Sequence, residues 1–458
     1  MLKGCDNMDY VPHTEEEIKK MLDFIGVKSI DELFSSIPRN LVLTKPLELP
    51  PAVAEPEIIC EMNEIASRNF QIKSSRDFRG GGIERHHIPA ILLDLIERGE
   101  FLTAYTPYQP EMSQGLLQAI FEYQTMICEL TGMEVSNASS YDGGTALGDA
   151  IVIADFHKHP SKRILLSGGS NPQYIEVMKT YNAGFKMEFT EIKQIDGEID
   201  YDRFISEIEK GARAVVIQTP NFSGVVEHPD KIRKIGEKIH EKKGLLILSV
   251  NPISLALLKT PGEMGADIAV GEGQPLGSPP SFGGPLLGFF TTNHEELRKL
   301  PGRLIGQTTD DEGNLVYVMT LQAREQHIRR EKATSNICSN EALCALAAAI
   351  YMSWYGKDGI RKLARRIASL TRYAMRQFAS VDGIHIPHKN KPHFNEFIVN
   401  LDVDPEPILE KIYHLDYAGG ISLKGLHKDY PKGVLITLNE CIHKHEIDEL
   451  ARIYGDLI

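Results

Sequence analysis

The sequence predicts an α/β protein in three parts: a helical arm at 1–75, a large, mostly parallel sheet domain at 76–334 and a small α+β domain at 335–458. A chain of 458 residues is too long for one hydrophobic core, because single cores stop growing at roughly 250–300 residues. Between about 132 and 293, short apolar runs alternate with amphipathic helical stretches, as in βαβ units. Near 335 this alternation ends.

The arm contains two helix-start patterns and a proline-rich strap. Thr14 with Glu17, and Ser29 with Glu32, have the spacing of a capping box, in which two side chains satisfy two free amides. Four prolines in residues 40–56 indicate an extended connection, because proline disfavours helical conformation in the preceding residue. Residues 1–64 hold six basic and 13 acidic side chains, a net charge of −7, which we interpret as a solvated face.

In the large domain, predicted strands alternate with predicted helices. The strands are 163–166, 186–192, 214–218, 245–250, 267–270 and 286–291. The helices between them include 174–181, 201–210 and 229–242. The strands show little polar alternation, which is typical of a parallel sheet covered on both faces.

The small domain has a different order of predicted helices and strands. An alanine-rich helix is predicted at 341–355 and a second, basic-faced helix at 360–378. Strands at 394–401 and 434–438 and helices at 407–414 and 446–454 follow. These mixed elements, without βαβ repetition, predict a compact α+β domain.

Composition excludes several classes of protein. With 42% hydrophobic and 25% charged residues, the chain is typical of soluble globular proteins. No apolar run approaches the roughly 20 residues of a membrane helix. The net charge of −13 disfavours nucleic-acid binding, because that affinity depends on neutralising phosphates.

Cysteine and histidine usage indicates neither disulfides nor metal. The six cysteines form no C-x-x-C pair, so neither a disulfide framework nor a zinc site is predicted. The histidine pairs lack carboxylates at ligand spacing, so no metal site is expected. The first residues show neither a signal-peptide nor a transit-peptide pattern, so we expect a cytoplasmic protein.

The first candidate functional segment is YTPYQPE at 105–111. Its two prolines stiffen a loop that presents Tyr105, Tyr108, Gln109 and Glu111. The helix that follows has an apolar stripe at 116, 120, 123, 127 and 130, the spacing of a buried face. The loop is either a pocket wall or a connector held to the core by its tyrosines.

The second segment is NASSYDGGTALG at 137–148. Gly143, Gly144 and Thr145 open a helix, whose free amides and positive dipole end favour an anion. The spacing is not that of a dinucleotide fingerprint, since it reads G-G-x-x-x-G and no strand immediately precedes it. A capped helix entrance is the alternative interpretation.

The third segment comprises two predicted strand ends. Ligands of parallel sheets bind beyond the carboxyl ends of the strands. Asn251 follows one of these strands and Gln274 follows the next. No lysine lies between Lys259 and Lys299.

Four long segments resemble the P-protein family of the glycine cleavage system, in the form whose N-terminal half is a separate alpha subunit. They are AYTPYQPEMSQGLLQAIFEYQTMICELTG (104–132), NASSYDGGTALGDA (137–150), GADIAVGEGQPLG (265–277) and FGGPLLGFF (282–290). The resemblance implies the fold of type I pyridoxal-phosphate enzymes. It also implies a complex that decarboxylates glycine and transfers the aminomethyl group to the lipoyl group of H-protein, beside the T- and L-proteins.

This chemistry needs a lysine for the Schiff base and an acid beside the pyridinium nitrogen. Where the fold places them, this chain has Gln274 and Asn251. We therefore expect a chain without cofactor, inactive alone, in a heterodimer or an α2β2 tetramer whose other subunit holds pyridoxal phosphate. Tyr105, Tyr108, Gln109 and Glu111 are candidates for contributing to the partner's pocket or to the contact between subunits.

Two alternatives remain at this point. The chain is a self-sufficient enzyme of the same fold if a lysine from elsewhere, such as Lys259, serves the cofactor. It is a plain binding module if the turn at 143–148 holds a phosphate ligand.

Overall fold

A computed structural model describes residues 13–43, 45, 47–69, 72–321 and 326–458. Residues 1–12, which include Cys5, lie outside this description, as do Thr44 and Pro46 of the predicted strap. The chain divides into two compact units, Met1–Phe70 and Gln71–Ile458. The domain boundaries at 75/76 and 334/335 stay predictions.

The first unit contains helices α1 (Glu15–Ile25) and α2 (Glu55–Ser67). The capping box at Thr14 is confirmed, since its hydroxyl accepts from the Glu17 amide and the Glu17 carboxylate accepts from the Thr14 amide at 2.8 Å. The second box is wrong: Ser29 precedes a short 3-10 turn without capping it, because the Glu32 carboxylate accepts the Lys28 amide instead. The strap is also shorter than predicted, because α2 begins before residue 56.

The second unit contains, in its N-terminal part, the strands β1 (Val135–Ser136), β2 (Arg163–Ser167), β3 (Glu188–Ile192), β4 (Gln194–Ile195), β5 (Glu198–Ile199), β6 (Ala214–Thr219), β7 (Leu245–Val250), β8 (Ile268–Glu272) and β9 (Gly288–Thr292). Seven of these strands form one sheet with the order β1-β9-β8-β7-β6-β2-β3. Strands β2, β3, β6, β7 and β8 are parallel, whereas β9 is antiparallel to β8 and β1 is antiparallel to β9. Strands β4 and β5 form a separate hairpin. The prediction of a mostly parallel sheet is confirmed.

Helices cover both faces of this sheet. Along β6, Val215 and Ile217 belong to one buried cluster, whereas Ala214 and Val216 belong to a second cluster on the opposite face. This double burial explains why the strands appear as continuous apolar runs. The helices are α3 (Ala90–Ile96), α4 (Gly99–Leu102), α5 (Gln114–Thr131), α6 (Gly143–Phe156), α7 (Pro172–Asn182), α8 (Tyr201–Glu209) and α9 (Pro229–Glu241).

An antiparallel hairpin follows the sheet, and the sequence patterns did not predict it. It consists of β10 (Leu304–Thr309) and β11 (Leu315–Thr320), and the short helix α10 (Gln326–Arg329) comes after it. Most of its residues are only partly buried or exposed, although β11 (LVYVMT) is apolar along most of its length.

The long helix α11 (Ala342–Phe378) is interrupted at Gly356, where φ is 58° and ψ is 178°. This break confirms the prediction of two helices, at 341–355 and 360–378. The first half packs in the core of the large sheet, through residues such as Ala348 and Tyr351. The second half packs in a separate C-terminal core, through residues such as Ala374 and Phe378.

The C-terminal core is formed by β12 (Ile384–His385), β13 (Glu396–Leu401), α12 (Pro405–Tyr413), β14 (Ile421–Ser422), β15 (Gly433–Thr437) and α13 (Lys444–Leu457). Its four strands form an antiparallel sheet with the order β12-β13-β15-β14. Across the described residues, no helix is both long enough and apolar enough to span a bilayer.

Candidate functional site

A cavity that is open to solvent lies beyond the carboxyl ends of β6, β7 and β8. This is where parallel sheets bind ligands. Its wall combines these strand ends with the start of α7, the start of β13 and the segment at 81–84. Among the described residues, none that lines the cavity is a lysine or an arginine, whereas three are the glutamates Glu84, Glu272 and Glu396.

Gln274 is completely buried behind this wall, and its amide is fully used by the main chain. Its Oε1 accepts the Glu84 amide at 2.9 Å, and its Nε2 donates to the carbonyls of Glu84 and Ser278. A glutamine can bridge these groups because it offers both a donor and an acceptor. Gln274 therefore connects the segment at 84 to the end of β8, and it has no free group that faces a ligand.

Asn251 is also engaged with its own chain. Its Oδ1 accepts the amides of Ile253 and Ser254 at 3.0 and 3.1 Å, and so begins the turn after β7. Its Nδ2 donates to the Glu84 carboxylate at 3.3 Å. This side chain stabilises the turn and offers no carboxylate to a protonated ring nitrogen.

The anion-friendly turn Gly143, Gly144 and Thr145 forms the first turn of α6. Two of its amides donate hydrogen bonds to carboxylates of the same chain. The Gly143 amide donates to Glu272 at 2.9 Å, and the Thr145 amide donates to Asp142 at 2.7 Å. Gly143 and Gly144 are buried. The two amides that would hold an external phosphate are therefore already bonded.

Burial weakens the acidity of two cavity carboxyls, Glu272 and Glu396. It raises the pKa of Glu272 to about 7 despite three main-chain hydrogen bonds. Burial, with the neighbouring Glu84, raises the pKa of Glu396 to about 8. A phosphate-bearing ligand in this cavity would meet carboxyl groups and no cation from the described residues.

A buried ion pair lies beside the cavity. His86 is 2.8 Å from Glu440 through Nδ1 and 3.1 Å from Glu84 through Nε2. Burial alone would lower the pKa of His86, but Glu440 and Glu84 raise it to about 10. The histidine is therefore a buried structural cation, a role that the sequence pattern did not predict.

Lys259, the alternative Schiff-base lysine, lies away from this cavity. Its side chain is 62% exposed and pairs with Glu263 at 2.8 Å. Within the described residues, no group of three or more His, Cys, Asp and Glu could hold a metal ion. The five described cysteines are free.

The loop at 105–111 is on the surface and is not part of the cavity wall. All four candidates, Tyr105, Tyr108, Gln109 and Glu111, are exposed. Arg303, which is only 3% exposed, holds the loop. Its guanidinium is 5.5 Å from the centre of the Tyr108 ring and donates to the Tyr108 hydroxyl at 3.4 Å.

Sequence reasoning located Asn251 and Gln274 but missed Arg303 and the acidic lining of the cavity. Glu272 stands at the end of β8, two residues before Gln274, and its position was a usable signal. Glu84 and Glu396 come from distant segments, so no local pattern assigns them to this cavity.

The chain matches the family model of the glycine cleavage system P-protein over residues 8–454. It is 46% identical to proteins named probable glycine dehydrogenase (decarboxylating) subunit 1 from Bacillus thuringiensis and Bacillus cereus, over 97% of this chain and 98% of theirs.

Solved structures give the same result. A crystal structure of glycine decarboxylase, the P-protein of the glycine cleavage system, in inhibitor-bound form has a TM-score of 0.86 and 38% identity. The match covers 98% of this chain and 100% of that one. A cysteine desulfurase from Thermococcus onnurineus, at 12% identity over 89% and 99% of the chains, has a TM-score of 0.62, which shows the shared fold alone.

Proposed function

The chain belongs to the glycine cleavage system P-protein family, and from this premise we propose that it is the subunit of a two-chain glycine decarboxylase that leaves the cofactor to its partner. Its relatives are named subunit 1 of glycine dehydrogenase (decarboxylating), which supports a second subunit. We place pyridoxal phosphate in that second subunit, where it would supply the electron sink for decarboxylation.

The observation that carries this proposal is that the side-chain amide of Gln274 is fully hydrogen-bonded within the chain. A Schiff base needs a primary amine, and Gln274 offers an amide whose oxygen and nitrogen are both bonded to the main chain. Asn251 likewise uses its oxygen for the turn after β7. Since no described lysine or arginine lines the cavity, these residues do not fit pyridoxal phosphate.

In the proposed complex this chain has a structural role and provides a contact surface for the second subunit. The loop with Tyr105 and Tyr108 presents aromatic rings at 77% and 59% exposure, and Arg303 holds it in place. A second loop exposes Phe282 completely. Aromatic side chains are enriched in contact surfaces between proteins, so we assign these loops to the interface with the second subunit.

The complete assembly would act in the cytoplasm as a heterodimer or an α2β2 tetramer. It would decarboxylate glycine and pass the aminomethyl group to the lipoyl group of H-protein, with the T- and L-proteins acting in the same system.

Reconstitution tests the proposal. The purified chain alone is expected to lack the visible absorbance of a pyridoxal Schiff base and to show no exchange of the glycine carboxyl carbon. Adding the second subunit should restore exchange. Stoichiometric cofactor that borohydride fixes to a lysine of this chain would contradict the proposal, as would exchange by this chain alone.

A further inference from the structure

The Glu272 carboxylate brings together three separate segments of the chain. It accepts the amide of Gly143, the first residue of α6, at 2.9 Å. It also accepts the amides of Gln274 and Leu287, each at 2.9 Å, and so connects the end of β8 to the approach to β9. The side chain is buried, with 7% of the residue exposed.

This arrangement is that of a bound anion. Amides at the start of a helix have no partner within the helix and carry its positive partial charge, so they bind phosphates and carboxylates. Charged hydrogen bonds of this kind are stronger than neutral ones. Without the Glu272 carboxylate, three buried amides would lose their acceptor, which costs free energy.

The backbone is shaped for this contact. A Cβ atom at Gly143 would lie 2.9 Å from the Glu272 nitrogen and 3.1 Å from the Gly271 carbonyl carbon. Such distances are too short for a real side chain. The glycine therefore allows the start of α6 to approach the end of β8 closely enough for the carboxylate to reach it.

We propose that Glu272 is an internal anion that occupies the phosphate-type site at the start of α6. It holds the rim of the cavity together without a ligand, and it keeps phosphate-bearing ligands out. This inference deepens the proposed cofactor-free role and rests on it. Asp142 is a further acidic group near Glu272, and its charge adds to the exclusion.

The test is removal and replacement of the anion in the full chain. E272A should unfold at a lower temperature than the wild type. Inorganic phosphate and pyridoxamine 5′-phosphate, which has no aldehyde to react with lysines, should then raise its Tm, because a ligand of the folded state stabilises it by mass action. Pyridoxamine, which lacks the phosphate, should not.

The wild type is the reference, because phosphate raises the Tm of many proteins by exclusion from their surface. E396A is the matched control, since it removes another buried cavity carboxyl that does not bond to α6. We expect E272A to bind pyridoxamine 5′-phosphate at least tenfold more tightly than either protein, as measured by fluorescence titration.

Equal binding by the wild type and E272A would overturn the proposal, and so would a folded E272A without a phosphate-specific shift in Tm. If E272A does not fold, E272Q removes the charge but keeps an acceptor. It should bind pyridoxamine 5′-phosphate more tightly than the wild type, and equal affinity would count against the proposal. A negative result here leaves the reconstitution experiment unaffected, because that experiment locates the cofactor and not the cause of its exclusion.

Discussion

Glu84 connects parts of the chain that are distant in sequence. Its amide and carbonyl bond to the side chain of Gln274, which is 190 residues away. Its carboxylate accepts from Asn395 at 2.8 Å and from Asn251 at 3.3 Å, and it lies 3.1 Å from His86. Networks of buried polar groups specify one arrangement when every member is bonded, so Glu84 fixes how the cavity wall is assembled.

Stability should decrease at alkaline pH because of His86. Burial would lower its pKa, but Glu440 and Glu84 raise it from 6.5 to about 10. A group whose pKa is raised on folding stabilises fully below its unfolded pKa, and this contribution is lost as the pH rises through the folded value. The free energy of unfolding, measured by urea titration, should therefore decrease between about pH 6.5 and about pH 10.

Glu440→Gln tests the origin of this dependence. Removing one partner of a buried ion pair typically costs about 3–5 kcal/mol, so the free energy of unfolding of E440Q at pH 7 should be lower than that of the wild type by about this amount. The decrease in the free energy of unfolding between neutral and alkaline pH should largely disappear in E440Q. Glu100→Gln is the control, because Glu100 forms an exposed pair with Arg98. An unchanged slope in E440Q would show that another group causes the pH dependence.

Gln274→Lys should destabilise the chain without creating a cofactor site. The lysine would place a cation in a fully buried position and would leave the Glu84 amide without its acceptor. Such changes cost about 3 kcal/mol or more. Urea titration measures the loss, and the absorbance after mixing with pyridoxal phosphate reports the cofactor.

The control for Q274K is Gln118→Lys, on the exposed face of α5, which should change stability by less than about 0.5 kcal/mol. Stable, stoichiometric Schiff-base absorbance in Q274K would show that the missing lysine alone keeps the cofactor out, and that the acidic wall contributes nothing.

At the scale of elements, the positions of buried strands along the chain were predictable from the sequence, but the half-exposed strands of the β10–β11 hairpin were not predicted. Strand β7 was predicted with its observed bounds, because both of its faces are buried. Strand β9 was located, but its antiparallel direction depends on tertiary pairing that an apolar run does not encode. Helix α6 begins at Gly143 because the carboxylates of Asp142 and Glu272 stabilise a first turn that contains two glycines.

Gly356 is the element-scale position that we expect to be most sensitive to a single methyl group. Its φ of 58° with ψ of 178° separates the two halves of α11, which belong to different cores. A Cβ there would meet no neighbour, so the cost of Gly356→Ala is backbone strain alone, about 1–3 kcal/mol. Thermal unfolding of G356A should show that loss.

Gly115→Ala is the matched control for this strain. Gly115 lies in α5, and its Cβ would also meet open space. Alanine favours the helix there by about 0.5–1 kcal/mol, so G115A should be neutral or stabilising. Equal destabilisation in both variants would mean that the break at Gly356 is not the cause.

For the whole molecule, the sequence predicted the architecture better than the cavity. The pattern of apolar residues predicted the large sheet domain and the small α+β domain. The ends of the predicted strands identified Asn251 and Gln274 as site positions. The acidic wall could not be predicted, because Glu84, Glu272 and Glu396 meet only after the C-terminal sheet packs beside the large one. A cavity made from distant segments is a property of the tertiary fold.

Assembly with the second subunit gives the prediction at this scale. Phe282 is fully exposed on a loop whose residues Ser281, Phe282 and Gly283 all have positive φ, so the loop presents the ring in a defined backbone conformation. An aromatic ring that becomes buried in an interface is often worth about 2 kcal/mol, or roughly thirtyfold in Kd. Phe282→Ala should therefore weaken binding of the second subunit by that order, measured by calorimetric titration.

The same substitution should leave the isolated chain unchanged, because an exposed ring contributes little to folding. Ile195→Ala, which also removes an exposed apolar side chain, at 62% exposure, should alter neither Tm nor Kd. If F282A binds the second subunit as tightly as the wild type, the Phe282 loop lies outside the interface. The contact would then have to be sought at the loop with Tyr105 and Tyr108, which Arg303 holds from a buried position.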